Sequence, residues 1–385
     1  MNKLLVILFS SYLSALSQDS IPFWEKHFEA NGYLKFMQTF NGDFEGNIYD
    51  QSLWHNRINT KYFNYNKEGG TEFYFELRNR IFYGEGIRIN PDIIDALDID
   101  GGVFDLSFVA GEENKFLYSC IIDRLWYKGY YKDWEWSLGR QRINWGINTY
   151  WNANDIFNAF TFTDFDYEER PGSDAARIQK YFINGSDIEL AVSLNSDTSI
   201  VFATKYSINL WNYDFQILGG VYHNDIVFGG GWAGGISNWG FKGEANYFLN
   251  SDNKDLSAAS VSMSGEYLLK NNSFLGIGGL YSSKGVSDGD DVSNNLLAFQ
   301  TSAKALMPTR WSVMTTLGGE INGLTNYAIV LVFMPGVNYT LLMPSISRSI
   351  TQNTDLSFHM INVGGFMQDD LVFLANGFLR AKWSF

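Results

Sequence analysis

A chain of 385 residues with 17% aromatics, 37 Gly and only 6 Pro, yet 18% charged residues, is not composed like a helical cytosolic protein, which carries more Lys, Glu and Ala. A formal net charge of −14 argues against nucleic acid as a partner and points to solvated acidic loops. The single cysteine, Cys120, excludes an intramolecular disulfide framework and a thiolate metal cluster, and nothing in the composition asks for a cofactor.

Residues 1–17 read as a secretory signal: Lys3 opens it, Leu4 to Leu16 is a short apolar run, and Ala15-Leu16-Ser17 offers a small-residue cleavage site. No later run is long and apolar enough for a transmembrane helix. The remainder, 18–385, is expected to be one domain that crosses a membrane with strands.

The strand signal starts at once. Phe28, Ala30, Leu34, Phe36 and Phe40 alternate with Glu29, Asn31, Lys35 and Thr39. Phe73, Phe75, Leu77, Ile81 and Tyr83 alternate with Glu72, Glu76, Arg78 and Arg80. Trp239, Phe241, Ala245 and Tyr247 alternate with Lys242, Glu244 and Asn246. Each segment has the length that a tilted membrane strand needs, with one face for lipid and one for a watery interior. Nineteen candidates follow from this pattern: 28–40, 51–63, 71–84, 115–128, 134–142, 176–183, 187–193, 199–207, 212–222, 226–236, 239–249, 257–269, 273–282, 294–305, 311–320, 325–334, 339–347, 354–362 and 371–385. Bacterial single-chain barrels have an even number of strands, so at least one candidate is surplus. The weakest signals are 176–183 and 325–334. The fold expected is an all-β transmembrane antiparallel barrel of about 18 strands, with 16 as the alternative. Hairpin turns are expected at Asn184-Gly185-Ser186, Lys270-Asn271-Asn272 and Pro335-Gly336-Val337-Asn338.

Two connections are long, 85–114 and 143–175, and both fall on the outer side if the first strand rises from the periplasm. Wide barrels commonly fold one such loop inward, and 143–175 is the candidate. Arg57, Arg78 and Arg80 share the polar parity of their strands with Glu72 and Glu76, so all five should face the lumen. Arg140, Arg142, Arg170 and Arg177 join them around the inward loop, which carries Asp164, Asp166, Glu168 and Glu169. Arginines on a wall opposite carboxylates on a loop would set a transverse field across a constriction; plain ion pairs are the competing reading. Arg140 shares parity with Trp134, Trp136 and Leu138, which would aim it at lipid unless Gly139 hosts a bulge. Trp145, Tyr150 and Trp151 would either stack on a passing solute or pack the loop against the wall.

Residues 139–177 read Gly-Arg-Gln-Arg-Ile-Asn-Trp-Gly, then Tyr-Trp-Asn-Ala-Asn-Asp, then Glu-Glu-Arg-Pro-Gly-Ser-Asp. This stretch resembles the porin-like barrels related to the alginate-export porin and allied large-barrel families. The resemblance implies an outer-membrane porin fold; the rest of the chain matches only as a generic barrel. A dense run of inward basic residues, which a polyanion path would need, is absent from the sequence.

The last strand alternates Phe373, Ala375, Gly377, Leu379, Ala381 and Trp383 with Asn376, Arg380, Lys382 and Ser384, and finishes on Phe385. A terminal aromatic of this kind resembles the signal that barrel-assembly machinery reads in outer-membrane proteins. The function expected is a passive channel for small polar or oligomeric solutes in the outer membrane, surrounded by its lipids, with homo-oligomerisation left open. Two alternatives stand beside it. One is a receptor or partner-binding barrel with an occluded lumen. The other is an outer-membrane hydrolase using His223-Asn224-Asp225 or His55, although no His-Glu-x-x-His motif is present. No catalytic residue and no metal ligand is assigned.

Overall fold

The computed structural model describes residues 23–42, 46–89, 100–112, 116–159, 172–270, 272–287, 299, 301–367 and 370–385. The signal reading of 1–17 and the loop residues Asp164, Asp166, Glu168, Glu169 and Arg170 lie outside them. After a short helix, α1 (Phe23–His27), come β1 (Phe28–Gly42), β2 (Ile48–Tyr65), β3 (Gly69–Gly84), β4 (Ser107–Glu112), β5 (Phe116–Tyr131), β6 (Trp134–Gln141), β7 (Ser173–Tyr181), β8 (Asp187–Leu194) and β9 (Ile200–Leu210). The chain continues through β10 (Tyr213–Tyr222), β11 (Asp225–Ile236), β12 (Trp239–Asn250), β13 (Ala258–Leu268), β14 (Phe274–Ser282), β15 (Trp311–Asn322), β16 (Thr325–Met334), β17 (Tyr339–Thr351), β18 (Thr354–Met367) and β19 (Asp370–Ser384).

Eighteen of these strands close a ring. Each pairs antiparallel with the next, β3 skips to β5, and β19 returns to β1 from Tyr33↔Ser384 to Asn41↔Asn376. Closure removes the exposed sheet edges that neither lipid nor water-filled interior tolerates. Alternation decides which face is which. On β8, Ile188, Leu190 and Leu194 are exposed outward, while Glu189, Ala191 and Ser193 are buried. Apolar-out and polar-in is the pattern of a membrane barrel, the reverse of a soluble one.

The two ends of the barrel differ. Gly32 and Phe385 exchange backbone hydrogen bonds of 3.0 Å, so both chain ends share one rim. Hairpins on that rim are tight: Trp211 and Asn212 both take positive φ, 55° and 64°, the two-residue turn whose twist matches paired strands. The expected turns at Gly185 and at Gly336 with Asn338 are likewise at positive φ. All the long connections lie on the opposite rim.

Three departures from the expected strands matter. Residues 176–183 and 325–334 are genuine wall strands, β7 and β16. The surplus candidate is instead 294–305. Its described part, from Thr301, is a turn closed by the Ser302↔Ala305 bridge, and Ala303, Leu306 and Met307 are buried rather than facing outward. Their apolar spacing reflects packing inside the barrel. The third departure is β4, a strand that sequence reading placed in a loop. It pairs with β5 over Ser107↔Ile121 to Glu112↔Phe116, just beyond the stretch where β6 pairs with β5.

β6, β7 and β8 have only 8, 9 and 8 residues, against 18 and 16 in β2 and β3, so the wall is low on that side. β4 and the strap 100–106 raise it. The strap is tied across the low wall by the Gly102↔Asn195 bridge and by Ser196 N–H donating to Gly101 O at 3.1 Å.

Candidate functional site

Beyond Gln141 the chain leaves the wall and crosses the lumen as an inward segment, 142–159. Its backbone has no strand partner, so inward side chains of the wall satisfy it. Glu244 of β12, fully buried, accepts the backbone N–H groups of Ile147, of Asn148 at 2.7 Å and of Asn154 at 2.8 Å. Asn246 donates to Ala153 O, Gln216 to Trp145 O at 2.7 Å, and Ser262 to Trp151 O at 2.7 Å. The Trp145 indole donates to Glu189 at 2.7 Å, and the Tyr150 hydroxyl meets Thr316 at 2.5 Å. The glycines of β14 make the room: a Cβ on Gly276 would lie 1.7 Å from the Tyr150 oxygen.

Trp145 and Trp151 are buried in this packing, Trp145 edge-on to Phe157 at 4.9 Å and Trp151 in a cluster with Leu280 and Met314. Of the three aromatics singled out in the sequence, Tyr150 alone is partly exposed.

The wall charges are organised into ion pairs. On β2, β3 and β5, Arg57 is fully buried; it contacts Glu76 and reaches Asp123 at 2.5 Å, whose other oxygen takes Arg78 at 2.9 Å. Asp123 faces inward because of a bulge: Glu76 pairs with Arg124 and Leu77 with Ile122, leaving Asp123 as the extra residue. Two consecutive residues, Asp123 and Arg124, therefore both point into the lumen. Nearer the rim of the chain ends, Glu72 accepts from Tyr65, from Tyr74 at 2.7 Å and from Tyr130 at 3.1 Å, and pairs with Lys61 at 3.0 Å. Arg80 reaches Ser119 at 3.4 Å. Further along the same wall, on β7, β8 and β9, Arg177 and Lys205 flank Glu189 at 2.5 and 3.2 Å. Arg142 is half-buried at the root of the inward segment, its Nε hydrogen enclosed and without an acceptor among the described residues.

Arg140 keeps the outward parity of its strand, opposite Leu125 on one side and Asp174 on the other. Gly139, at φ 117°, does kink the strand, yet the guanidinium stays within the wall. It is buried beneath the strap, donating to Asp174 at 2.8 and 3.0 Å, to Asp100 at 2.6 Å and to Phe104 O at 2.6 Å.

Sequence reading missed Glu244, Asp123 and Glu189. Glu189 and Glu244 sit on the polar parity of well-marked strands and were findable. Asp123 was not, because the bulge breaks parity. Between the inward segment, the β3–β5 wall and Thr301–Ala303 lies a polar cavity of about 520 Å³, reached by Arg78, Arg80, Asp100, Asp123 and Asn158.

His223 stacks on Tyr222 at 4.2 Å and approaches the Asn195 amide at 3.3 Å, whereas Asp225 is taken by Lys304 at 2.5 Å and Asn250 at 2.7 Å. His55 meets Tyr33 at 3.4 Å. Among the described residues no cluster of His, Cys, Asp and Glu could hold a metal ion. Burial holds the His223 imidazole below its ordinary pKa, against the opposite pull of Asp197 and Asp225. The unfolded chain thus takes up this proton first on acidification, so stability present above the ordinary imidazole pKa is lost as pH falls below it. Melting the protein in detergent at about pH 7.5 and about pH 5.5 should show a smaller acid-induced drop for His223→Gln than for wild type. An equal drop in both would remove His223 from the account.

No protein-family model matches the chain, and no curated protein matches it. Solved structures do. Pseudomonas aeruginosa OpdQ superposes with a TM-score of 0.59 at 9% identity, covering 93% of this chain and 98% of that one. Acinetobacter baumannii OccAB4 gives 0.55 at 9% identity, covering 94% and 99%. Salmonella typhi OmpF, solved in complex with daunomycin, gives 0.50 at 10% identity, covering 93% and 97%. The fold is that of a porin-type barrel. The likeness is to Occ, Opd and OmpF barrels in general, and nothing in it singles out the alginate-export porin.

Proposed function

We propose that the chain is an outer-membrane channel that passes small polar solutes passively, with the inward segment 142–159 as part of its constriction. The observation that carries this reading is the pairing of a closed ring, apolar outside, with a polar interior that holds its own cavity beside an inward segment. The wall supports a mixed-charge selectivity. Arg57, Arg78, Arg177 and Lys205 each have a carboxylate partner on the wall, so these four cations do not form the bare positive path that a polyanion such as alginate would need. A leader at 1–17, assembly through the strand that ends at Phe385, and the part of Asp164, Asp166, Glu168, Glu169 and Arg170 in the constriction all belong to this proposal.

The second reading, a receptor with a closed lumen, draws on the way 142–159 and Ala303–Met307 fill the interior. Purified protein in planar bilayers separates the two: discrete conductance steps are expected for the channel. Liposome swelling with neutral sugars, amino acids and small acids should then rank zwitterions at or above acids of equal size. A silent bilayer at all voltages would reject the channel in favour of the closed receptor.

A further inference from the structure

One recess in the described wall opens outward. It measures about 930 Å³ and lies beside the place where β6 ends early, walled by Val103, Leu106, Leu125, Leu138, Val192 and Leu194. Leu138 and Leu194 are exposed on the outward parity of their strands, so the surrounding medium of this recess is hydrocarbon. Its floor is polar. Arg140 borders both this recess and the inner cavity, with Asp174 on the recess and Asp100 on the cavity, so this cluster lies between the two. The strap lies directly on that cluster, since a Cβ on Gly102 would fall 2.0 Å from an Arg140 nitrogen.

Charge at this floor selects what can sit above it. Arg140 already donates to Asp174, Asp100 and Phe104 O. Asp105 is exposed at the mouth, with one oxygen receiving Ser107. The polar end of an otherwise apolar groove therefore carries the exposed Asp105 carboxylate at its mouth and, at its floor, Asp174, which already accepts from Arg140 and from the Phe104 N–H at 3.2 Å, with the guanidinium engaged below. A head group carrying negative charge is repelled there, and one that donates hydrogen bonds is accommodated.

We propose that this recess binds a single-chain alkyl amphiphile whose head group donates hydrogen bonds and carries no negative charge, its chain along Leu138, Val192 and Leu194 and its head at Asp105 and Asp174. Photoreactive alkyl glucoside and photoreactive fatty acid, each added to protein reconstituted in liposomes, test it. The glucoside should cross-link to peptides holding 103–106, 138–140 and 192–194 in preference to the outward residues Leu356 and Phe358 on the far wall. Val192→Trp, which fills the recess, should cut that labelling about ten-fold. Asp105→Lys, a change at an exposed residue that needs no repacking, should shift preference toward the fatty acid and keeps the test open if the tryptophan variant fails to fold. Labelling spread evenly around the barrel, or fatty acid matching the glucoside in wild type, would overturn the proposal.

Discussion

Replacing Glu244 by Ala should enlarge the single-channel conductance, on the order of two-fold, and make it noisier. Three backbone N–H groups of the inward segment end on this one carboxylate. Removing it strands them in a buried site with no replacement acceptor. Hydrogen bonds to a charged group stabilise by about 1.5–3 kcal/mol each, and their loss here is shared among coupled neighbours, so docking should weaken by on the order of 3 kcal/mol. That is enough to populate undocked states. The barrel should survive, because its strands pair with one another and not with the segment. Two readouts check this together: conductance in planar bilayers and protease cleavage within 142–159. Glu244→Gln, which retains acceptor oxygen but loses charge, should lie between Ala and wild type. Unchanged conductance with unchanged protease resistance in Glu244→Ala would show that the segment is held by its other contacts.

Asp123→Asn should act on stability and selectivity at once. The carboxylate lies between two buried guanidiniums, 2.5 Å from Arg57 and 2.9 Å from Arg78. Removing one partner of a buried pair costs about 3–5 kcal/mol, because the remaining charge stays desolvated. Arg57 retains Glu76, and Arg78 borders the 520 Å³ cavity, so the change of charge falls at the edge of that cavity. The expected result is a lower urea midpoint and a reversal potential in a KCl gradient that moves toward chloride. A replacement of both ends of the Arg78–Asp123 pair by Leu and Asn should recover part of the stability without the anion shift. If Asp123→Asn leaves the reversal potential where wild type has it, the cavity is not on the ion path.

Much of this architecture is legible in the residues themselves. A period of two with greasy and polar faces can be satisfied in only one kind of closed sheet, and eighteen of the nineteen candidate segments are wall strands. The length of 143–175 and the polar parity of Arg57, Glu72, Glu76, Arg78 and Arg80 can be marked in the residues as well; their part in a constriction belongs to the proposed function. What parity could not convey was anything that breaks it. Ala303, on the apolar parity of the candidate strand 294–305, is instead buried in the inner packing.

The sequence alone therefore determined the barrel, a count near 18 strands with 16 still open, and the faces of its strands, because backbone pairing and burial act on every second residue. Only the tertiary structure decided which charges meet. The bulge at Asp123 and the strap over Arg140 depend on strands far apart in the chain arriving side by side. Whether a carboxylate becomes a loop anchor, an ion-pair bridge or the floor of an outward recess follows from that placement.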